Sequence, residues 1–138
     1  MTVTSLRSAH PAQALGTEEE RRELARILAA LFERWALDTE VQMQLLGMSP
    51  NSRKQLPKYR AGESALPNSR DTLDRAGYLL VIHKGLRVLF PEDEELRFNW
   101  VRRRNQALDG ATPLEVMVRD GLIGIARIAR LVDFQRGR

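Results

Sequence analysis

Residues 105–121 read NQALDGATPLEVMVRDG, and this stretch fixes how the last part of the chain is arranged. Asp109-Gly110 predicts a turn, because glycine takes a positive φ without steric cost. Thr112 and Glu115 then have the spacing of a capping box, and Pro113 falls at the first helical position, where no backbone amide is needed. We therefore expect a rigid corner that sets the direction in which the final helix leaves the body of the protein.

The rest of the chain predicts further helices. Thr17 and Glu20 have the spacing of another capping box. The helix after them carries an apolar stripe at i, i+3, i+4, i+7, i+8 and i+11, namely Leu24, Ile27, Leu28, Leu31, Phe32 and Trp35. A long apolar helix is expected from residue 68 or 69 to about 90, another from Pro91, and the last from about residue 120 to 134. No segment alternates with period two, so the predicted fold class is all-α.

Residues 38–60 have the outline of a helix-turn-helix. Asp38 predicts the N-cap of a short helix over residues 39–46, and Gly47 predicts its left-handed C-terminal residue. Ser49 as N-cap and Pro50 at the first helical position predict the start of the next helix. Two helices joined by a tight glycine turn are typical of this motif.

The second helix of this pair carries side chains that suit DNA. In a helix-turn-helix, the N-terminal residues of the second helix contact base edges in the major groove, where Arg, Asn and Gln are common donors. The candidate DNA-binding residues are Asn51, Ser52, Arg53, Lys54, Gln55, Lys58, Tyr59 and Arg60. Leu56 and Tyr59 are expected to turn inward, and Pro57 to kink or shorten the helix by removing an amide and clashing with the Arg53 carbonyl. The alternative is a solvated basic helix without a special role.

Composition restricts the function further. The chain has 138 residues, no cysteine and a formal net charge of +4. Disulfides, thiolate metal sites and thiol catalysis are therefore excluded, and the positive charge favours an anionic partner. No run of about 18 apolar residues predicts a membrane span, and no apolar secretory segment precedes the first helix. We expect a cytoplasmic protein.

No constellation of residues predicts catalysis, a metal or a cofactor. His10 lies in residues 1–16, whose composition predicts a flexible segment, and His83 lies within an apolar helix. There is no Ser/His pair, no glycine-rich loop after a strand and no spaced set of His, Asp and Glu. The sequence therefore predicts a binding protein that is not an enzyme.

From about residue 45 to 132 the chain resembles the Xre/MbcA/ParS family of antitoxins. Residues 45–64, LLGMSPNSRKQLPKYRAGES, are similar to the Xre-type helix-turn-helix of that family. The more specific likeness is a Trp followed by the family's Asn-x-x-Leu-x-Gly-x-Thr-Pro-Leu-Glu segment and a later Gly. In this chain these are Trp100, Asn105, Leu108, Gly110, Thr112, Pro113, Leu114, Glu115 and Gly121.

The resemblance implies a protein partner. Members of the family pair with RES-domain toxins, which consume NAD or transfer ADP-ribose, and they occlude the toxin's active site with their C-terminal region. They often form homodimers and repress their own operon. The toxin-binding residues implied here are Trp100, Asn105, Leu108, Gly110, Thr112, Pro113, Glu115, Arg119, Arg127, Arg130 and Arg136. The arginines have an alternative explanation, as the solvent side of an amphipathic helix whose Ile125, Ile128, Leu131 and Val132 face the core.

The resemblance also divides the chain, into a flexible segment 1–16, a helical arm with an Xre-like helix-turn-helix over 17–67, and a small helical toxin-binding domain over 68–138. Residues 102–104 depart from the family, which has Leu and Pro there. Their three arginines predict either a phosphate-contacting patch or pairing with the acidic turn 92–95. The alternative functions are a stand-alone helix-turn-helix regulator with a dimerising C-terminal domain, and an antitoxin that no longer binds DNA.

Overall fold

The secondary structure is entirely helical in residues 16–137, the part of the chain that the computed structural model describes. The α-helices are α1 Glu18–Arg34, α2 Thr39–Leu46, α3 Gln55–Ala61, α4 Arg70–Leu89, α5 Glu94–Asn99 and α6 Pro113–Arg136. Short 3₁₀ turns occupy Pro50–Lys54, Trp100–Arg102 and Gln106–Leu108. The predicted all-α fold class is confirmed. The predicted flexible segment, apart from Gly16, lies outside the described residues with His10 and Arg138.

The first two helices begin as their caps predict. The Thr17 hydroxyl accepts a hydrogen bond from the Glu20 amide at 3.1 Å, and the Glu20 carboxylate accepts one from the Thr17 amide at 2.9 Å. Asp38 caps α2 by accepting from the Val41 amide at 2.9 Å. Gly47 ends α2 with a φ of 70°. These local signals therefore locate both helices without reference to the rest of the fold.

Residues 50–60 do not form the single helix that the sequence predicts. Ser49 caps a 3₁₀ turn over Pro50–Lys54, and the α-helical hydrogen bonding starts only at Gln55. Pro57 then lies in the first turn of α3, where its missing amide has no intrahelical partner to lose. The proline thus shortens the α-helix to seven residues. Leu56 and Tyr59 face the core as predicted.

One predicted helix boundary in the C-terminal half is wrong. The helix expected to start at Pro91 starts at Glu94, because Asp93 caps it by accepting from the Leu96 amide at 3.0 Å. The predicted change of helix near residue 120 is present. The helix that starts at Pro113 breaks at Gly121, whose φ of 66° and ψ of −140° are not helical, and a helix continues from there to Arg136. We call residues 113–120 the first arm of α6 and residues 122–136 its second arm.

The core is continuous across the two predicted domains. Leu28 and Phe32 of α1, and Trp35 directly after it, belong to the same cluster of buried side chains as Ile82 of α4 and Ile128 of α6. α4 and α6 approach each other closely at Gly85, where an added Cβ would lie 2.3 Å from Val132 Cγ1. Because 17–67 and 68–138 share one core, the proposed division between them concerns function and not separate folding.

His83 makes the stability of the fold depend on pH. Its half-buried ring stacks on Phe98 with ring centroids 6.3 Å apart. Burial is the main cause that lowers the pKa of His83 below its ordinary value of 6.5, and positive charge adds to the shift, from Arg87, Arg97, Lys84 and Arg34. Folding therefore favours the neutral ring.

We expect acidification to destabilise the protein through this ring. A lowered folded-state pKa means that the unfolded chain binds the proton more tightly, so stability is fully present above about pH 6.5 and is lost as the pH falls through the folded-state pKa. Denaturant unfolding at a series of pH values should show a steeper loss between pH 7 and 5 for the wild type than for His83→Gln. Equal slopes would contradict this assignment, since the carboxylates titrate alike in both proteins.

Candidate functional site

The corner before α6 is held rigid by hydrogen bonds within residues 105–115. The Asn105 amide donates to the Ala111 carbonyl and the Gly110 amide donates to the Asn105 carbonyl, both at 3.0 Å. Asp109 and Gly110 take φ values of 56° and 89°, so both lie in the left-handed region that the turn requires. The Asn105 side chain accepts from the Ala107 amide at 3.0 Å. The loop therefore arrives at α6 in one defined conformation.

The capping box predicted at the start of α6 is present. The Thr112 hydroxyl accepts from the Glu115 amide at 3.0 Å, and Glu115 Oε1 accepts from the Thr112 amide at 2.8 Å. Pro113 is the first helical residue and is buried. The capping box satisfies backbone amides at the N-terminus of the helix, and Pro113 has no amide that needs a partner. Together they fix where the first arm of α6 begins.

The second arm of α6 presents one outward face made of apolar and cationic side chains. The residues on it follow the spacing i, i+4, i+7 and i+11 and are all exposed: Ile123, Arg127, Arg130 and Phe134. We call them the α6 stripe. Ile123 is 78% exposed and Phe134 is 59% exposed, which is unusual for side chains of this size. Two large apolar groups at the ends of an arginine pair are typical of a protein-binding surface.

Two shallow depressions lie along α6. One has a volume of about 310 Å³ and places Leu108 of the corner beside Arg127 and Arg130. Ala107, Leu131 and Phe134 complete its lining. The other, of about 610 Å³, is lined by Leu114, Glu115, Val118 and Arg119 of the first arm. Leu114 and Val118 are half-buried and pack against the core on their other side. The corner thus supplies a partner with apolar recesses that have arginines beside them.

Three predicted toxin-binding side chains are mostly inside the protein. Trp100 is 8% exposed, Leu108 is 6% exposed and Pro113 is buried. They have little surface to offer a partner, and they support the corner from within. Asn105, Gly110 and Thr112 likewise act on the loop through the hydrogen bonds described above.

The predicted arginines fall into two pairs with different surroundings. Arg119 donates to Asp120 at 3.0 Å and lowers the pKa of that carboxyl below its ordinary value. Arg136 lies 3.6 Å from Asp133. Within residues 16–137, Arg127 and Arg130 form no salt bridge although both are exposed. The predicted amphipathic pattern of this helix is present too, because Ile125, Ile128 and Val132 are fully buried.

The arginines of residues 102–104 do not pair with the acidic turn 92–95. Arg102 donates to the carbonyls of Trp35 and Ala36 at 3.0 and 3.3 Å, and Arg104 donates to the Gly110 carbonyl at 3.2 Å. Among the described residues, the ion pair of that turn joins Glu94 to Arg34. Arg102 therefore ties the C-terminal end of α1 to the C-terminal half of the chain, a role that the sequence did not predict.

The predicted DNA-binding residues divide between surface and core. Tyr59 is 4% exposed and its hydroxyl lies 3.8 Å from Met48 Sδ, so it has little surface to offer DNA. Arg60 is exposed but pairs with Glu33 at 2.9 Å. Arg53, Lys54 and Lys58 are exposed. Asn51 is exposed as well, while Ser52 and Gln55 are half-buried.

Ile123 and Phe134 are not among the toxin-binding residues that the sequence predicts. Their helical spacing to Arg127 and Arg130 is the signal that identifies one exposed face.

No cluster of three or more His, Asp or Glu side chains suited to a metal occurs in the described part of the chain. None of the helices in residues 16–137 combines the length and apolar character needed to cross a membrane.

Comparison with known proteins gives two matches. Residues 85–138, from within α4 to the C-terminus, match the family described as "Antitoxin Xre/MbcA/ParS C-terminal toxin-binding domain". The chain is also 37% identical over 105 residues to a protein of Sinorhizobium fredii (strain NBRC 101917 / NGR234) named "Uncharacterized protein y4oB". That alignment covers 76% of this chain and 78% of the relative. No solved structure matches the chain significantly.

Proposed function

Because the chain belongs to the Xre/MbcA/ParS antitoxin family and ends in its toxin-binding domain, we propose that it neutralises a cognate RES-domain toxin by covering the toxin's active-site cleft. The module is of type II, in which the antitoxin protein binds the toxin protein directly in the cytoplasm. The observation that carries the proposal is the α6 stripe, an exposed apolar and cationic face within the matched domain.

The chemistry of the stripe favours an acidic rim on the toxin. Arg127 and Arg130 lack salt-bridge partners within the described residues, and guanidinium groups bind carboxylates through paired hydrogen bonds. Ile123 and Phe134 supply the apolar contacts that such an interface needs at its centre. Ile125, Ile128 and Val132 pack the second arm of α6 into the core. The proposed toxin-binding surface is therefore the exposed side of a packed helix and not a detached tail.

The test compares two pairs of charge reversals in the full-length chain. Arg127→Glu with Arg130→Glu alters the α6 stripe, and Arg53→Glu with Lys54→Glu alters the exposed basic turn of the helix-turn-helix segment. Each protein is co-expressed with the toxin encoded beside it, and host growth, NAD content and toxin co-purification are measured. Removing residues 120–138 is a poor substitute, because it would delete core side chains and unfold the protein.

The wild type and the Arg53/Lys54 variant are expected to restore growth and bind the toxin. The Arg127/Arg130 variant is expected to bind at least about 100-fold more weakly, since like charges would meet across the interface. Circular dichroism checks that both variants fold. Failure of the wild type to bind would overturn the proposal, and equal binding by the Arg127/Arg130 variant would remove the α6 stripe from it.

Autorepression of the operon is a second proposed role, carried by Arg53, Lys54 and Lys58. These side chains are exposed and, within the described residues, form no salt bridge that would compete with phosphate. We expect the Arg53/Lys54 variant to lose operator binding while it keeps the toxin, and wild-type DNA affinity to fall steeply with salt. The alternative function, a stand-alone regulator, requires operator binding with no toxin partner, and the same measurements distinguish the two.

A further inference from the structure

A polar cleft lies along α5 and the 3₁₀ turn that follows it. Its volume is about 460 Å³, and three of the residues that line it follow the spacing i, i+4 and i+8, namely Glu95, Asn99 and Arg103. All three side chains are exposed, and we call them the α5 row. At a rise of 1.5 Å per residue, the row extends about 12 Å from its carboxylate end to its guanidinium end.

The charged groups near the α5 row are already engaged elsewhere. Asp93 accepts from the backbone amide that it caps, and Glu94 pairs with Arg34. Arg97 and Arg102 both donate to backbone carbonyls. Within residues 16–137, the side chains of the α5 row themselves make no hydrogen bond or ion pair. The cleft therefore has a free negative charge at one end, a free amide in the middle and a free positive charge at the other end.

This order of groups fits an extended protein segment that carries both a cation and an anion. Arg103 can bind a carboxylate through paired hydrogen bonds, and Glu95 can bind an ammonium or guanidinium group. The Asn99 amide both donates and accepts, so it can bind the backbone of the segment between the two charges. An extended chain rises about 3.3 Å per residue, so charges roughly four residues apart reach both ends of the row. A nucleic acid fits poorly, because the two carboxylates of the lining would repel its phosphates.

The position of the cleft favours the toxin as the protein that supplies this segment. All the residues that line the cleft fall within the matched toxin-binding domain. Arg104, directly after the row, donates to the Gly110 carbonyl at 3.2 Å. The corner that contains Gly110 also supplies Leu108 to the depression beside Arg127 and Arg130. A rigid corner thus connects the α5 row to the α6 stripe, and the two surfaces share no residue.

This inference rests on the proposed function. We propose that the α5 row is a second contact with the toxin, and that it selects the cognate toxin by the order of two charges. Exposed ion pairs add little affinity, because water and salt screen them. A toxin with the two charges in the reverse order would place like charges together at both ends of the row, which is unfavourable. The row therefore acts on the choice of partner more than on the strength of binding.

The test reverses the ends of the row in the full-length chain, by Glu95→Arg and Arg103→Glu, singly and together. Affinity for the toxin encoded beside the chain is measured with purified proteins. Each single reversal is expected to raise the Kd by at least about 10-fold, since it places like charges together at one end. Glu92→Arg and Arg70→Glu are exposed reversals outside the cleft, and these matched controls should bind like the wild type. Circular dichroism checks that every variant folds.

The double variant distinguishes recognition of a partner from a balance of charges within the row. It keeps both charges and exchanges their order. If Glu95 and Arg103 acted only on each other, the exchange would restore wild-type binding. Because the charges of the toxin stay where they are, we expect the double variant to bind at least as weakly as either single variant.

Alkylation of the Asn99→Cys variant tests the contact directly. The chain has no cysteine, so the introduced thiol is the single site of reaction in the antitoxin. Thiol reactivity depends on exposure, so bound toxin should slow the reaction by at least about 10-fold. Asn68→Cys, at an exposed position before α4, is the matched control and should react equally fast with and without the toxin.

The outcomes separate this inference from the proposed function. A wild type that does not bind the toxin overturns both. If the wild type binds and the Arg127/Arg130 variant does not, the proposed function stands. In that case, unchanged affinity of the single variants, full recovery by the double variant, or an Asn99→Cys variant that the toxin leaves unprotected would each overturn the role of the α5 row.

Discussion

Replacing Trp35 with alanine is expected to lower the free energy of unfolding by about 3–5 kcal/mol, the range found for large aromatic side chains in a packed core. Trp35 is fully buried, and its ring centroid lies 6.4 Å from that of Phe32. Its position after α1 joins the two halves of the protein, since its carbonyl accepts the hydrogen bond from Arg102. The loss is a large part of the stability of an ordinary domain, and denaturant unfolding would measure it.

Trp35→Phe separates the contribution of ring packing at this site from that of the indole N–H group. The Trp35 Nε1–H group is buried without a hydrogen-bond partner in the described residues, so its removal should cost no hydrogen bond. The phenylalanine variant should therefore lose less stability than the alanine variant, in proportion to the smaller cavity. A loss as large as that of alanine would show that the indole nitrogen has a partner, such as a buried water.

Replacing Gly121 with alanine is expected to destabilise the protein by about 1–3 kcal/mol, because its backbone occupies a region that L-residues avoid. Its φ of 66° and ψ of −140° produce the break between the two arms of α6. An added Cβ would meet no atom closer than 3.7 Å, so crowding does not cause the cost. The variant should also bind the toxin less well, since the break orients the first-arm depression relative to the α6 stripe.

Gly77→Ala is the matched control for this prediction. Gly77 is helical and exposed, so alanine there should raise stability by about 0.5–1 kcal/mol. Thermal or denaturant unfolding of both variants compares the same chemical change, glycine to alanine, in two backbone conformations. If Gly121→Ala were as stable as the wild type, the break in α6 would not depend on glycine.

The sequence by itself determined the features that depend on neighbouring residues. Thr17 with Glu20 and Thr112 with Glu115 located two helix starts, because a capping box involves only the four residues that contain it. Asp109-Gly110 specified its turn for the same reason. The helical periodicity of α1 gave the fold class, and the pattern from Asn105 to Glu115 gave the family. Each of these signals is complete within about twelve residues of the chain.

Only the tertiary structure decided which sides of the helices remain exposed. Tyr59 lies in the core because α3 packs against α1. Arg102 binds carbonyls of Trp35 and Ala36 that lie more than sixty residues away in the chain. The α6 stripe likewise depends on how α4 and α6 bury their other sides against each other. Burial is a property of the whole packing arrangement, so a local pattern of apolar and charged residues cannot fix it.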